Sequence, residues 1–142
     1  MAYCTLADIT KAIPEAAVIQ LTDDEDVGEI DEAKVTEAIA AADAEIDTYC
    51  ATRYSTPFAT VPDPIKKLSV DIAIYNLYKR KVEVIPEAKK DSYTNAVRML
   101  RDIAAGKASL AVGGTEAAAV ESQECTIATE DRVFTRDKMR GF

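Results

Sequence analysis

The chain has 142 residues, 48% of them apolar, with a formal net charge of −8, three cysteines and no histidine. That length suits one domain with its own core, and the apolar content argues against wholesale disorder. The missing histidine excludes Ser-His-Asp triads, zincin-type metal sites and phosphohistidine chemistry, because it is the commonest general base and metal ligand.

Cys4, Cys50 and Cys125 lie far apart with no CxxC pair. Neither a disulfide framework nor a zinc site is expected from them, and they read as small, partly buried thiols. No apolar run approaches the roughly 18 residues a membrane span needs. Met1-Ala2-Tyr3-Cys4 has neither the basic nor the apolar character of a leader, so assembly in the cytosol is expected. Charge is unevenly spread: residues 1–63 hold 14 acidic and 3 basic side chains, residues 64–142 hold 11 and 14. The acidic front half does not suit a direct phosphate binder. It suits packing against a basic surface or a wall that repels DNA, and equally a solvated surface.

Thr5 to Pro14 reads as a short helix. Thr5 is its N-cap, Asp8 lies in its first turn, Leu6, Ile9 and Ile13 line one face and Pro14 stops it. Val18-Ile19-Gln20-Leu21 is a short apolar stretch ahead of an acidic loop. Asp31 then caps a long helix to about Arg53, with Val35, Ile39, Ala42, Ile46 and Tyr49 as its apolar stripe. Glu37, Asp43, Glu45 and Asp47 are read as its outward positions. Tyr54 to Asp63 is a connector marked by Pro57 and Pro62.

A third helix is predicted from about Pro62 to Val82. Ile65, Leu68, Ile72 and Tyr75 form one stripe, and Val70, Ile74 and Leu77 a second. A helix apolar on two sides is central in its bundle. Lys79-Arg80-Lys81 closes it, as cations complementing the dipole or as a contact for an acidic neighbour. Pro86 opens a fourth helix, with Tyr93, Val97, Leu100 and Ala104 on one face and Lys89, Lys90, Arg98 and Arg101 outside, ended by Gly106. Beyond Lys107, Gly113-Gly114 and the small residues Thr115 to Ala119 read as a linker. Glu124 to Thr129 alternates weakly, as a strand does. The expected fold is therefore mainly α: a small bundle of three long helices plus a short N-terminal helix over residues 1–106, then a linker and extended tail over 107–142 with one short candidate β segment.

Two segments carry functional expectations. Asp23 to Asp31 resembles a calcium-binding EF-hand loop, with Asp23 at its first position and Gly28 at its sixth. The pattern fails at its fifth position, Val27, and at its twelfth, where Lys34 replaces the bidentate glutamate. The simpler reading is a turn: Gly28 takes a positive φ, Ile30 plugs the core and Asp31 caps the next helix. No metal, cofactor or catalytic pair is assigned; a small Ca²⁺-responsive module using residues 23–34 is the alternative. In the tail, Arg132, Arg136, Lys138 and Arg140 interleave with Val133, Phe134, Met139 and Phe142. Arginine–aromatic mixtures are typical of interface anchors. Such a tail either folds back on its own domain or docks on another chain; docking on another subunit is the reading adopted, with Arg132, Phe134, Arg136, Met139, Arg140 and Phe142 as the predicted interface residues.

Several stretches in order carry a family resemblance. They are Met1-Ala2-Tyr3 with Thr5-Leu6-Ala7-Asp8, Gln20-Leu21-Thr22-Asp23 with Ile30-Asp31, Ala41 to Asp47 with Tyr49 and Arg53-Tyr54, Asp71-Ile72-Ala73 with Tyr75 to Tyr78, and Val133 to Asp137 with Arg140-Gly141-Phe142. Together they resemble the small virion protein of Mu-like phages and prophages, a head–tail connector or head-completion protein. The resemblance implies a non-enzymatic helical adaptor in the virion neck, assembled into a ring of about twelve copies. It further implies the portal on one side of the ring, tail or stopper proteins on the other, and DNA passing through without specific binding. Family members often carry a more aspartate-rich loop, from which residues 23–34 depart.

Overall fold

The computed structural model describes residues 1–81 and 84–111. Among these residues the chain forms five helices and no strand: α1 (Leu6–Ala12), α2 (Glu15–Thr22), α3 (Glu32–Cys50), α4 (Asp63–Lys81) and α5 (Glu87–Ala104). The candidate β segment at Glu124–Thr129 lies outside the described residues.

The three long helices end within a few residues of the positions their patterns predict. Asp31 caps α3, its carboxylate accepting from the backbone N–H groups of Ala33 at 2.9 Å and Lys34 at 3.4 Å. Pro86 stands at the N-cap of α5, and Gly106 follows α5 at φ +78°, where a Cβ would collide with the Arg53 guanidinium. Helix α2 is the addition. Pro14 ends α1 and serves as the N-cap of α2, since its missing N–H costs nothing in the first turn. Val18 and Leu21 point inward, and the buried Thr22 hydroxyl donates to the Val18 carbonyl at 2.8 Å.

Helix α4 is the centre of the bundle, packed by α1, α2, α3 and α5. Ile65, Leu68, Ile72, Ile74 and Leu77 are all buried, so both predicted stripes are used. Helix α5 packs on α3 and α4, as do α1 and α2. Its buried face is Ala96, Leu100 and Ile103; of the predicted stripe Leu100 is buried and Tyr93, Val97 and Ala104 are half-buried, with Tyr93 stacked on Tyr75 at 4.0 Å between ring centres. Packing continues past Gly106: Leu110 is buried, and its N–H donates to the Tyr54 hydroxyl at 2.9 Å.

One polar position is corrected. Asp43, read as outward, is 9% exposed. Its carboxylate accepts from the Tyr3 N–H at 3.0 Å and from the Ser69 hydroxyl at 2.8 Å. Burial pushes its carboxyl above the ordinary range, while these donors oppose that. Asp47 accepts from the Tyr3 hydroxyl, and that oxygen in turn accepts the Phe58 N–H at 3.1 Å. Residues 3 and 4 thus form a strap locked into the core. Cys4 lies 3.2 Å from the Ser69 hydroxyl. Cys4 and Cys50 are fully buried, with thiols pushed up to about 11 by desolvation.

Asp8 ties α1 to α4. It accepts from the Thr5 hydroxyl at 2.7 Å and backbone N–H at 3.0 Å, and pairs with Lys66 at 3.0 Å. The Thr5 hydroxyl and Lys66 lower its carboxyl to about 2. A depressed folded-state value stabilises the fold above the ordinary carboxylate range and is lost as pH falls through the lowered value. Wild type should therefore lose about 1 kcal/mol more than Asp8→Asn between pH ~4 and ~2, after discounting for solvent screening. Paired denaturant titrations at those pH values check this.

Candidate functional site

The acidic loop between α2 and α3 gathers Asp23, Asp24, Glu25, Glu29, Asp31 and Lys34 around one shallow hollow. Asp26 and Gly28 both take positive φ, 56° and 81°, so the chain turns sharply twice in succession. Asp23 organises this turn. Its Oδ1 accepts the N–H groups of Glu25 and Val27, each at 3.1 Å, and its Oδ2 accepts that of Gly28 at 2.7 Å. These amides, Gly28 foremost, hold its carboxyl below the usual range. The Asp31 N–H closes the loop on the buried Thr22 hydroxyl at 3.2 Å, and Ile30 packs against the core.

The end of α4 clamps this loop. The Arg80 guanidinium grips Asp24 with both arms, at 2.7 and 3.0 Å. It also donates to the carbonyls of Leu21 at 2.8 Å and Thr22 at 3.3 Å, satisfying two of the C-terminal carbonyls of α2. Lys81 pairs with Asp24 at 3.2 Å and donates to the Asp23 carbonyl. Arg80 and Lys81 hold the Asp24 carboxyl far below its ordinary range. The basic cluster at the end of α4 therefore meets an acidic neighbour, and that neighbour belongs to the same chain.

This geometry leaves little for a divalent cation. Asp23 is filled by amides, Asp24 by two cations, and Lys34 lines the same hollow. Among the described residues, no three acidic or thiol side chains converge as metal ligands would. Titration with millimolar Ca²⁺ is expected to give no saturable heat. A saturable heat that vanishes in Asp23→Asn would restore the calcium-responsive alternative for residues 23–34.

The predicted interface residues Arg132, Phe134, Arg136, Met139, Arg140 and Phe142 lie outside the described residues. The body that carries them exposes charge of both signs. Glu25, Asp26, Glu29, Glu32 and Glu37 are exposed around the loop and the start of α3, and Lys90, Arg98 and Arg101 along α5. No described helix is long and apolar enough to cross a membrane.

The sequence model of the family described as "Bacteriophage Mu, Gp36" matches residues 3–129. The chain belongs to the Mu Gp36 family. As a Gp36-family protein it is 31% identical to the Mu-like prophage FluMu protein gp36 of Haemophilus influenzae over 113 residues, covering 80% of this chain and 78% of that one. It is 28% identical to "Gene product J" of Escherichia phage Mu over 144 residues, covering 100% of this chain and 99% of that protein. The Gp36-family match takes in the strap, the clamped loop and all five helices.

Proposed function

We propose that this chain is a structural, non-catalytic virion subunit acting as head–tail connector in the neck of a Mu-like phage. The observation that carries the reading is the end-to-end alignment with gene product J of phage Mu, joined to the family resemblance. Copies would form a closed ring of about twelve. The portal would lie on one side, tail or stopper proteins on the other, and DNA would pass through the middle. The exposed acids of the loop and α3 suit a channel along which DNA slides without sticking. The arginine–aromatic segment Arg132 to Phe142 would anchor each copy on a neighbouring chain.

Mass analysis of the chain alone and mixed with its portal protein tests this, comparing full length with a truncation after Thr129. The full chain should give a ring or a portal complex, and the truncation should lose it. Equal assembly by the truncated chain would remove the tail from the docking role. Full-length chain that forms neither species would remove the connector reading itself.

A further inference from the structure

Two carboxylates one turn apart on α3 hold the strap. Asp43 accepts the Tyr3 backbone N–H at 3.0 Å, and Asp47 accepts the hydroxyl at the other end of the same residue. Among the described residues no lysine or arginine forms an ion pair with either acid. A buried carboxyl thus stands beside a second acid, which disfavours a second charge there. A hollow of about 440 Å³, walled by Met1, Leu6, Ile39 and Ala40, reaches Cys4 and Asp43. It has room for water, so a proton can reach Asp43 while the strap stays seated.

Ser69 decides what that proton does. Its hydroxyl lies 2.8 Å from Asp43 Oδ1 and 3.2 Å from Cys4 Sγ, and a hydroxyl has one proton to give. With Asp43 ionised, that proton goes to Oδ1, and the Cys4 S–H donates to the Ser69 oxygen. Asp43 Oδ2 faces a donor, the Tyr3 N–H, so an added proton must sit on Oδ1. Oδ1–H then donates to Ser69, and Ser69 donates to the Cys4 sulfur. The chain of bonds reverses by proton shifts alone. Only the Cys4 S–H is left over, and a thiol is a weak donor.

We infer that the Cys4–Ser69–Asp43 chain is a reversible proton latch: one proton on Asp43 seats the strap more firmly, and its loss loosens the strap. Burial holds the Asp43 carboxyl above the ordinary range; the Ser69 and Tyr3 donors oppose this, Asp47 adds to it and the Met1 α-ammonium opposes it. The Tyr3 hydroxyl, pushed up to about 12 by burial and by Asp47, stays neutral throughout. Asp8 of α1 and Lys66 of α4 face the chain at Cys4 with opposite effects. A folded-state value above the unfolded one favours the seated strap at low pH, and that contribution is lost as pH rises through the raised value. The Asp8–Lys66 pair has the opposite sign and acts at lower pH. The inference does not rest on the connector reading.

NMR titration of the full-length chain tests it, with the Asp43 carboxyl carbon assigned by Asp43→Asn. That signal should titrate with a midpoint above the ~3.9 of an ordinary aspartate. The Cβ signals of Cys4 and Ser69 should move at the same midpoint, although the Cys4 thiol stays protonated there. Amide exchange reads the strap. Protection of the Phe58 N–H should fall at least about threefold as pH rises through that midpoint, and at most about tenfold per pH unit, the limit for one proton. Phe58 should also exchange ahead of Ile72 in the core of α4. Asp43→Asn copies the protonated state, its amide N–H on Ser69 and its carbonyl on the Tyr3 N–H, so Phe58 protection should stay high and flat. Ser69→Ala should silence the Cys4 signal while Asp43 still titrates. An Asp43 midpoint at or below the ordinary value overturns the inference, as does pH-independent Phe58 protection in the wild type. Phe58 and Ile72 exchanging together overturns a separate strap opening. A Cys4 response that is absent in the wild type, or that survives Ser69→Ala, overturns the chain.

Discussion

Tyr3→Ala is expected to destabilise the protein by about 4 kcal/mol, a fall in Tm of roughly 15 °C for a body of this size. The side chain is 2% exposed and its ring packs on Phe58 at 5.6 Å. Truncation would open a cavity in the core and strip the Phe58 N–H of the Tyr3 hydroxyl, its acceptor among the described residues. Tyr3→Phe keeps the ring and removes the hydroxyl, so it should cost about 1–3 kcal/mol. Thermal and urea unfolding of both variants, followed by circular dichroism, separates the two contributions. A loss below about 1 kcal/mol for Tyr3→Ala would mean that the strap is not seated in solution. Most globular domains have only ~5–15 kcal/mol in total, so the alanine variant should be visibly marginal at 37 °C.

Arg80→Ala should act more locally. Global stability should drop by about 1–2 kcal/mol, since the guanidinium is partly solvated and its ion pair with Asp24 contributes little by itself. The carbonyls of Leu21 and Thr22 lose their donor, and the loop loses its tie to α4. Amide exchange across residues 22–31 should therefore accelerate by roughly tenfold or more, with the cores of α3 and α4 changing only by the global amount. Arg80→Lys should restore less than half of the protection, because an ammonium cannot serve Asp24 and two carbonyls in one fork. Unchanged exchange in the loop would show that Asp23 and the backbone turn hold it without the clamp.

Much of this fold was legible in the sequence because the long helices carry unambiguous punctuation. Asp31, Pro86 and Gly106 mark their ends, and the two stripes of α4 identify it as the central helix. Helix α2 escaped for a physical reason. Its eight residues are too few to show a period, and Val18-Ile19 are adjacent rather than spaced. Asp43 was misplaced by residue type. It stands four after Ile39 and three before Ile46, which puts it on the buried stripe, yet a carboxylate is expected in water. Only the donors from Tyr3 and Ser69, distant in sequence, make that burial tolerable. The turn in the acidic loop was readable from Gly28 and Asp31. The clamp was only half readable, because Arg80 and Asp24 are 56 positions apart and no local pattern pairs them. The family membership shown by the match over residues 3–129 was legible in the ordered motifs from Tyr3 to Tyr78, whereas the tail motif Val133 to Phe142 lies beyond that match.

The strap also has a consequence for the order in which the molecule is made. Tyr3 and Cys4 are synthesised well before the groups that receive them. Asp43 lies 40 positions on, Phe58 lies 55, and Ser69 lies 65. During vectorial synthesis at ~5–20 residues per second, these two residues wait several seconds outside the ribosome for their partners. The pair α3–α4 can form its helical contacts from neighbouring sequence first, whereas closing the strap needs the most non-local contacts it makes. Residues translated well ahead of their partners are thus among the last to be placed. A nascent chain halted before Ser69 emerges would present Tyr3 and Cys4 to solvent and to chaperones.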